Sequence, residues 1–200
     1  LFHEVANKIY HFVWHTYCDW YIELIKKNFN DKKYSDEIRK TSGWSFIQIL
    51  KIIHPIMPYI SEKLWRSLVN SNSFLMNQIY EKENFGKNFN NSKKNINLLI
   101  ELITSIRNLR SELNIPYKKL IDLTIECKDE SLTNFLSKNT SEINNFLKTN
   151  KISFDKIHPD KNTALIVLNS FSILIPLLGI VDSQSEIKKL NAKKELEQVK

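Results

Sequence analysis

The sequence predicts a mainly α fold: a helical bundle, then a small α+β unit, then the start of a coiled-coil helix. Three observations carry this. The 200 residues hold only three Gly and five Pro, too few for the many turns of a sandwich or barrel. Apolar residues recur at three- and four-residue steps over long stretches, the period of helices with one buried face. Beyond Pro116 that period yields to short alternating runs. The expected boundaries follow: 1–116 for the bundle, 117–181 for the α+β unit, 182–200 for the coiled-coil start. With 42% hydrophobic residues, eleven Phe, seven Tyr and four Trp, the chain can build a core and is no disordered polymer.

Residues 2 to about 27 read as one long α-helix. Ile9, Val13, Trp20 and Leu24 form one apolar stripe, and Tyr10, Trp14, Tyr17, Tyr21 and Ile25 form a second beside it. Lys8, His11, His15, Asp19 and Glu23 make the polar seam. A surface helix cannot leave so many rings in water without driving association. Either the helix is central to the bundle or it offers rings to a ligand.

Residues 28–33 are a loop. A second helix spans Ser35 to Ile53, with Phe46, Ile49, Leu50 and Ile53 inward. It stops because the residue before Pro55 avoids helical geometry. After the His54–Pro58 corner a third helix starts at Pro58, a residue suited to a first helical turn. It reaches Val69, with Ile60, Leu64 and Leu68 as its core positions. Residues 70–92 are polar, Asn-rich and irregular. Ser92 is the expected N-cap of a fourth helix, which runs to Leu113 on the stripe Leu99, Leu102, Ile106, Leu109, Leu113. Asn114-Ile115-Pro116 ends it.

Leu123–Cys127 alternates as a strand does, and Leu132–Thr149 reads as a helix. Ile152–Phe154 and Ala164–Leu168 are short strands. In the apolar run Phe171–Ile180, Pro176 marks an edge strand or a break. The tail from Asp182 carries Ile187, Leu190, Leu196 and Val199 among Ser, Glu, Lys and Gln, the opening of an amphipathic helix.

Twenty-nine Lys and Arg against 22 Asp and Glu give a net charge of +7. That suits a polyanionic partner such as RNA, although a Lys- and Asn-rich composition produces the same balance by itself. Cys18 and Cys127 stand far apart, outside any CxxC pattern, as free thiols of a reducing compartment do. There is no signal peptide and no 18-residue apolar run, so a cytoplasmic location without membrane association is expected. A helical pattern is already under way at Leu1 and another is cut at Lys200, so a piece of a longer protein is expected.

His11, His15 and Asp19 fall at four-residue steps. The His pair has the spacing of a metal site across one turn. Asp19 is rotated roughly 80° from His11, and no Glu adjoins His11 as a base, so a solvated polar seam is the expectation and no metal is assigned. Three Gly leave no phosphate loop, and no nucleophile–base–acid set is visible, so no catalytic residue is assigned. On the fourth helix Ile96, Ile100 and Ile103 form a flanking stripe that Arg107, Arg110 and Asn114 continue. Two readings stand for these arginines: pairing with Glu112, Asp19 or Glu23, or a fork for phosphate and base edges. The rings of the first helix are equally divided. Tyr17 and Trp20 are assigned to the core, while Trp14, His15 and Tyr21 stay open between packing and base stacking.

Three segments resemble one family. Phe12-Val13-Trp14 followed by Cys18-Asp19-Trp20-Tyr21 is similar to the opening of the anticodon-binding helical domain of valyl-tRNA synthetases. His54-Pro55-Ile56-Met57-Pro58-Tyr59-Ile60-Ser61-Glu62-Lys63-Leu64-Trp65 resembles the HPxMPxxxExLW corner shared by the class I synthetases for valine, isoleucine and leucine. Ile106-Arg107-Asn108-Leu109-Arg110-Ser111-Glu112-Leu113-Asn114-Ile115-Pro116 resembles the valyl IRNxRxE segment and the proline that follows it. Order and spacing agree, and the last twenty residues are similar to the junction leading into that family's coiled-coil arm. Where the family carries a Trp-Pro pair after its third helix, this sequence has Ile79-Tyr80. The HIGH and KMSKS signatures are absent.

The resemblance implies a tRNA anticodon-binding segment of a valine–tRNA ligase. Attachment of valine, with ATP and Mg, would belong to a catalytic domain upstream, and no cofactor falls to this segment. The partner would be the anticodon stem-loop of valine tRNA, read at its middle and third anticodon bases, A and C, by a monomer. The resemblance turns the arginines toward RNA: Arg107 and Arg110 for phosphate or base edges, Asn114 for a base edge, and Trp14 and His15 for stacking or hydrogen bonding. The alternatives are an isoleucyl or leucyl relative, or a helical protein-interaction module with no RNA role.

Overall fold

The computed structural model describes residues 2–26, 28–32, 34–69, 73–79, 89–160 and 162–177. It divides into two compact units, Leu1–Gly86 and Lys87–Lys200. The fold is mainly α, with a small four-stranded sheet in the second unit. This division falls well before Pro116, so the helix preceding that proline belongs with the α+β half. The coiled-coil start expected over 182–200 and most of the Asn-rich stretch lie outside the described residues.

The first unit opens with α1 (Phe2–His11), a π-helical segment (Phe12–Ile22) and α2 (Glu23–Lys26). The single α-helix expected over 2–27 is thus widened in its middle. Aromatic side chains lose rotamer freedom against a preceding α-turn, and this stretch is crowded with them. Tyr17 and Tyr21 stack at 5.2 Å, and both hydroxyls reach Ser42, Tyr17 donating to its carbonyl at 3.4 Å and Tyr21 lying 3.1 Å from its Oγ. Tyr17 is buried, Trp20 half-buried, and Lys8, His11, His15, Asp19 and Glu23 are all exposed, as a solvated seam requires.

Helix α3 (Ser35–Ile53) has the expected bounds. Asp36 and Glu37 stand in its first turn, where carboxylates favour the helix dipole, and Asp36 pairs with Lys40 at 2.7 Å. Helix α4 (Pro58–Val69) also starts and ends as expected, but its inner face is different. Ser61 and Trp65 are buried, while Ile60, Leu64 and Leu68 are 48%, 36% and 52% exposed. The reason is that Trp65 brings more area to bury than any of the three aliphatics, and its indole finds a carbonyl. The core of the unit joins Leu50, Trp65 and Leu75, with Phe46, Ile47 and Val69 packed against them. Leu75 comes from a short 3-10 turn, Leu75–Asn77.

In the second unit α5 (Asn90–Glu112) starts two residues before the expected Ser92, with Phe89 at its cap and no side-chain cap bond. Leu99, Leu102, Ile103 and Ile106 are buried, and α5 packs on α6 (Glu130–Lys138) and α7 (Thr140–Leu147). One helix was expected over Leu132–Thr149. Asn139 divides it, its side-chain amide donating to the Phe135 carbonyl at 2.7 Å. Asp129 caps α6 by accepting from the Ser131 N–H and hydroxyl, which holds its carboxyl below the usual carboxylate range.

The strands β1 (Ile121–Cys127), β2 (Thr149–Ser153), β3 (Thr163–Val167) and β4 (Phe171–Pro176) form one sheet in the order β2-β1-β4-β3. The pair β1–β2 is parallel, and α6 and α7 supply the crossover that parallel pairing demands. The other pairings are antiparallel. Strand β4 is an inner strand, not an edge. Pro176 sits at its last position, opposite Thr163, where a missing N–H costs the ladder least.

Candidate nucleic-acid interface

The HPxMPxxxExLW corner is built from hydrogen bonds. The Ser61 hydroxyl donates to the Met57 carbonyl at 2.7 Å, and His54 Nδ1 lies 2.8 Å from Ser61 Oγ. A hydroxyl has one proton, so Nδ1–H of His54 is the donor in that second bond. Glu62 accepts from the Leu75 N–H at 2.9 Å and faces Arg66 at 3.4 Å. The Trp65 indole donates to the Ser73 carbonyl at 3.1 Å. His54, Ser61, Glu62 and Trp65 therefore fasten the loop after α4 to the corner before it. The motif is a structural clamp.

Arg110 belongs to the interior. It is 5% exposed. Its Nη1 donates to the Leu147 carbonyl, and Nη2 points at the carbonyls of Pro116 (2.7 Å), Tyr117 (3.1 Å) and Lys119 (2.6 Å). Leu147 ends α7, where the helix dipole is negative. The guanidinium thus ties the end of α5 to the 116–119 loop and to the end of α7. Burial pulls its pKa below the usual arginine range, opposed by Tyr117. It reaches no carboxylate in its four bonds: Nη1 and Nη2 are engaged by backbone carbonyls, and among the described residues the buried Nε has no hydrogen-bond partner.

Arg107, one turn earlier, is exposed, and its guanidinium lies 5.4 Å from the centroid of the Phe146 ring. Asn114 is exposed too, with φ at 52°. Its N–H donates to the Ser111 carbonyl at 3.2 Å, and the Ile115 N–H reaches back to the Arg110 carbonyl at 2.8 Å. Those two bonds are a Schellman closure, which needs a left-handed residue where Asn stands. Asn114→Gly should leave stability within about 0.5 kcal/mol, whereas Asn114→Ala should cost about 1–2 kcal/mol. Urea unfolding checks both. An unchanged Asn114→Ala midpoint would show that the backbone conformation is not what selects this residue.

Trp14 and His15 stand in the first unit, and Arg107 and Asn114 in the second. Trp14 is 54% exposed and Tyr10 57%. Their rings are parallel within 6°, centroids 6.2 Å apart. His15 meets Tyr10 edge-on at 6.4 Å, stacks on His11 at 5.3 Å, and lies 3.3 Å from the Asp19 carboxylate. Asp19 thus pairs with His15; among the described residues there is no group of three or more His, Cys, Asp or Glu that could hold a metal ion. Sequence reasoning left Tyr10 in an apolar stripe. Its four-residue step to Trp14 was the signal that the two rings share a face.

Residues 1–125 match the family described as the anticodon-binding domain of tRNA ligase. The chain belongs to this family. The matched span holds the clamp, the stacked rings and all of α5. Among curated proteins, valine–tRNA ligases of Staphylococcus aureus strains JH9 and Newman are each 32% identical over 193 residues. The alignment covers 94% of this chain and 22% of each relative. Of the candidate residues in this span, Arg107, Asn114, Trp14 and His15 are exposed, as is Tyr10, while Arg110 is buried.

Proposed function

We propose that this chain grips the anticodon stem-loop of a tRNA, as the anticodon-binding segment of a cytoplasmic, monomeric valine–tRNA ligase. The reading rests on the family match over residues 1–125, joined to the identity with valine–tRNA ligases along nearly the whole chain. Activation of valine with ATP and Mg, and its transfer to tRNA, are assigned to other parts of such a ligase. Here the chain contributes grip and orientation. Arg107 supplies the cation that phosphate contacts need, and Asn114, just past the end of the same helix, an amide. Trp14 and His15 supply ring faces.

A gel shift of valine tRNA against a version altered at the middle and third anticodon bases tests this reading. The unaltered tRNA should bind more tightly, with affinity falling as salt rises, because phosphate contacts release counterions. Arg107→Ala should weaken binding by roughly 1–3 kcal/mol and reduce the salt slope by about one. Arg107→Lys should recover the slope before it recovers the affinity, since an ammonium keeps the charge and loses the fork. Equal binding of both tRNAs would remove the anticodon. Binding that ignores salt would favour the protein-interaction reading, for which the exposed row Ile60, Leu64, Leu68 is the natural surface.

A further inference from the structure

The second unit carries a polar cavity of about 490 Å³ where three of its parts meet. Helix α5 brings Asn91, Lys94 and Asn95 to it, the link from β1 into α6 brings Lys128 and Asp129, and the β3–β4 turn brings Asn169. Backbone bonds hold these walls. The Lys128 N–H donates to the Ser170 carbonyl at 3.2 Å, and the Leu168 N–H closes the turn on the Phe171 carbonyl at 3.0 Å. Asp129 is fixed by its cap: one carboxylate oxygen accepts from the Ser131 N–H at 2.9 Å and the other from the Ser131 hydroxyl at 2.8 Å. Each keeps lone-pair capacity for another donor. Those two bonds, and after them the nearby Lys94 charge, hold the carboxyl below its usual range. Among the described residues Lys94 and Lys128 form no ion pair, and the amides of Asn91, Asn95 and Asn169 make no hydrogen bond.

We propose that this cavity binds the ribose–phosphate backbone of an RNA stem. This deepens the tRNA-binding reading and rests on it. Two ammoniums against one carboxylate leave the cavity net positive, as a phosphate requires. The carboxylate and the amides suit ribose hydroxyls, which RNA offers beside every phosphate and DNA lacks at the 2′ position. An acidic peptide would set its own carboxylates against Asp129 and give it no hydroxyl. A second cavity of about 330 Å³ adjoins the first along α5, sharing Lys94 and Leu98 and adding Lys93 and Asn97. A polymer running from one to the other uses both, whereas a lone phosphate fills neither. Lys94 precedes Arg107 by thirteen positions, roughly 20 Å along α5. The two therefore touch different stretches of the RNA. Contacts to backbone position a nucleic acid without reading it, so this site holds the stem whatever the anticodon is.

The test titrates the 200-residue chain with valine tRNA, with a version altered at the anticodon, and with a version whose stem riboses are 2′-deoxy. Lys94→Ala and Lys128→Ala should each weaken binding about three- to tenfold and reduce the salt slope by about one. The loss should be the same factor for the unaltered and anticodon-altered tRNAs. Lys138→Ala, at the far end of α6, should change neither. Asp129→Asn keeps a side chain suited to the cap. It should tighten binding of the deoxy stem and narrow the preference for ribose. All four residues are exposed, so the variants should keep the wild-type circular dichroism. Inorganic phosphate and AMP, at matched ionic strength, should show no saturable binding. Unchanged affinity in both cavity lysine variants overturns the site and leaves the tRNA reading standing. An equal loss in Lys138→Ala overturns it too, as the mark of overall charge alone. A loss confined to the unaltered tRNA makes the site a reader and overturns the stem assignment. A ribose preference untouched by Asp129→Asn overturns the hydroxyl contact, and saturable binding of phosphate or AMP overturns the polymer as occupant. A wild-type chain with no salt-dependent tRNA binding overturns both this site and the reading beneath it.

Discussion

Arg110→Ala should destabilise the second unit by about 3–5 kcal/mol, the largest effect expected of any exposed-looking charge in the sequence. Four carbonyls turn toward this one guanidinium, from Leu147, Pro116, Tyr117 and Lys119. Each buried acceptor left unpaired costs roughly 1–3 kcal/mol before any cavity is counted. Lysine should rescue little, because a point charge on a flexible stem cannot serve carbonyls arranged around a planar fork. Urea unfolding followed by far-ultraviolet circular dichroism checks the loss. The four tryptophans, Trp14, Trp20, Trp44 and Trp65, all precede Gly86, so indole emission follows the first unit and should shift less. The opposite pattern, normal stability with a weaker salt dependence of RNA binding, would restore Arg110 as a phosphate contact.

Arg110 also shows where the sequence stops being legible. Its neighbours in sequence suggested carboxylate partners or phosphate. Its actual partners are backbone oxygens, one of them 37 positions away. Carbonyls leave no mark in a pattern of residue types. Elements governed by local rules were readable: α3 begins at Ser35 and stops before Pro55, and α4 opens on Pro58, each as helix-end chemistry dictates. The faces of α4 were not. Ile60, Leu64 and Leu68 repeat as cleanly as Ser61 and Trp65 do, and only tertiary packing chooses between neighbouring phases of one helix. The widened turns over Phe12–Ile22 were equally hidden, since the same periodic stripes fit an ordinary α-helix. Of the candidate contacts, Arg107, Asn114, Trp14 and His15 are at the surface, while Arg110 supports the loop that follows α5.

Trp65→Ala should cost the first unit about 3–5 kcal/mol by loss of buried area and the cavity left behind. Trp65 is 5% exposed and is the largest member of the cluster with Leu50 and Leu75. Its removal also frees the Ser73 carbonyl, the acceptor that draws the loop after α4 back onto the helix. Trp65→Phe separates the two contributions. Phenylalanine restores most of the ring volume and no N–H, so the residual loss should be about 1–2 kcal/mol, the cost of one lost hydrogen bond plus imperfect fit. Glu62→Gln offers a cross-check on the same loop, because Glu62 accepts from the Leu75 N–H at 2.9 Å. If Trp65 and Glu62 fasten one segment, their double variant should lose less than the sum of the singles, since a loop already released has nothing further to lose. Strict additivity in urea midpoints would mean that the two side chains act independently. The HPxMPxxxExLW corner would then lose its reading as a single clamp.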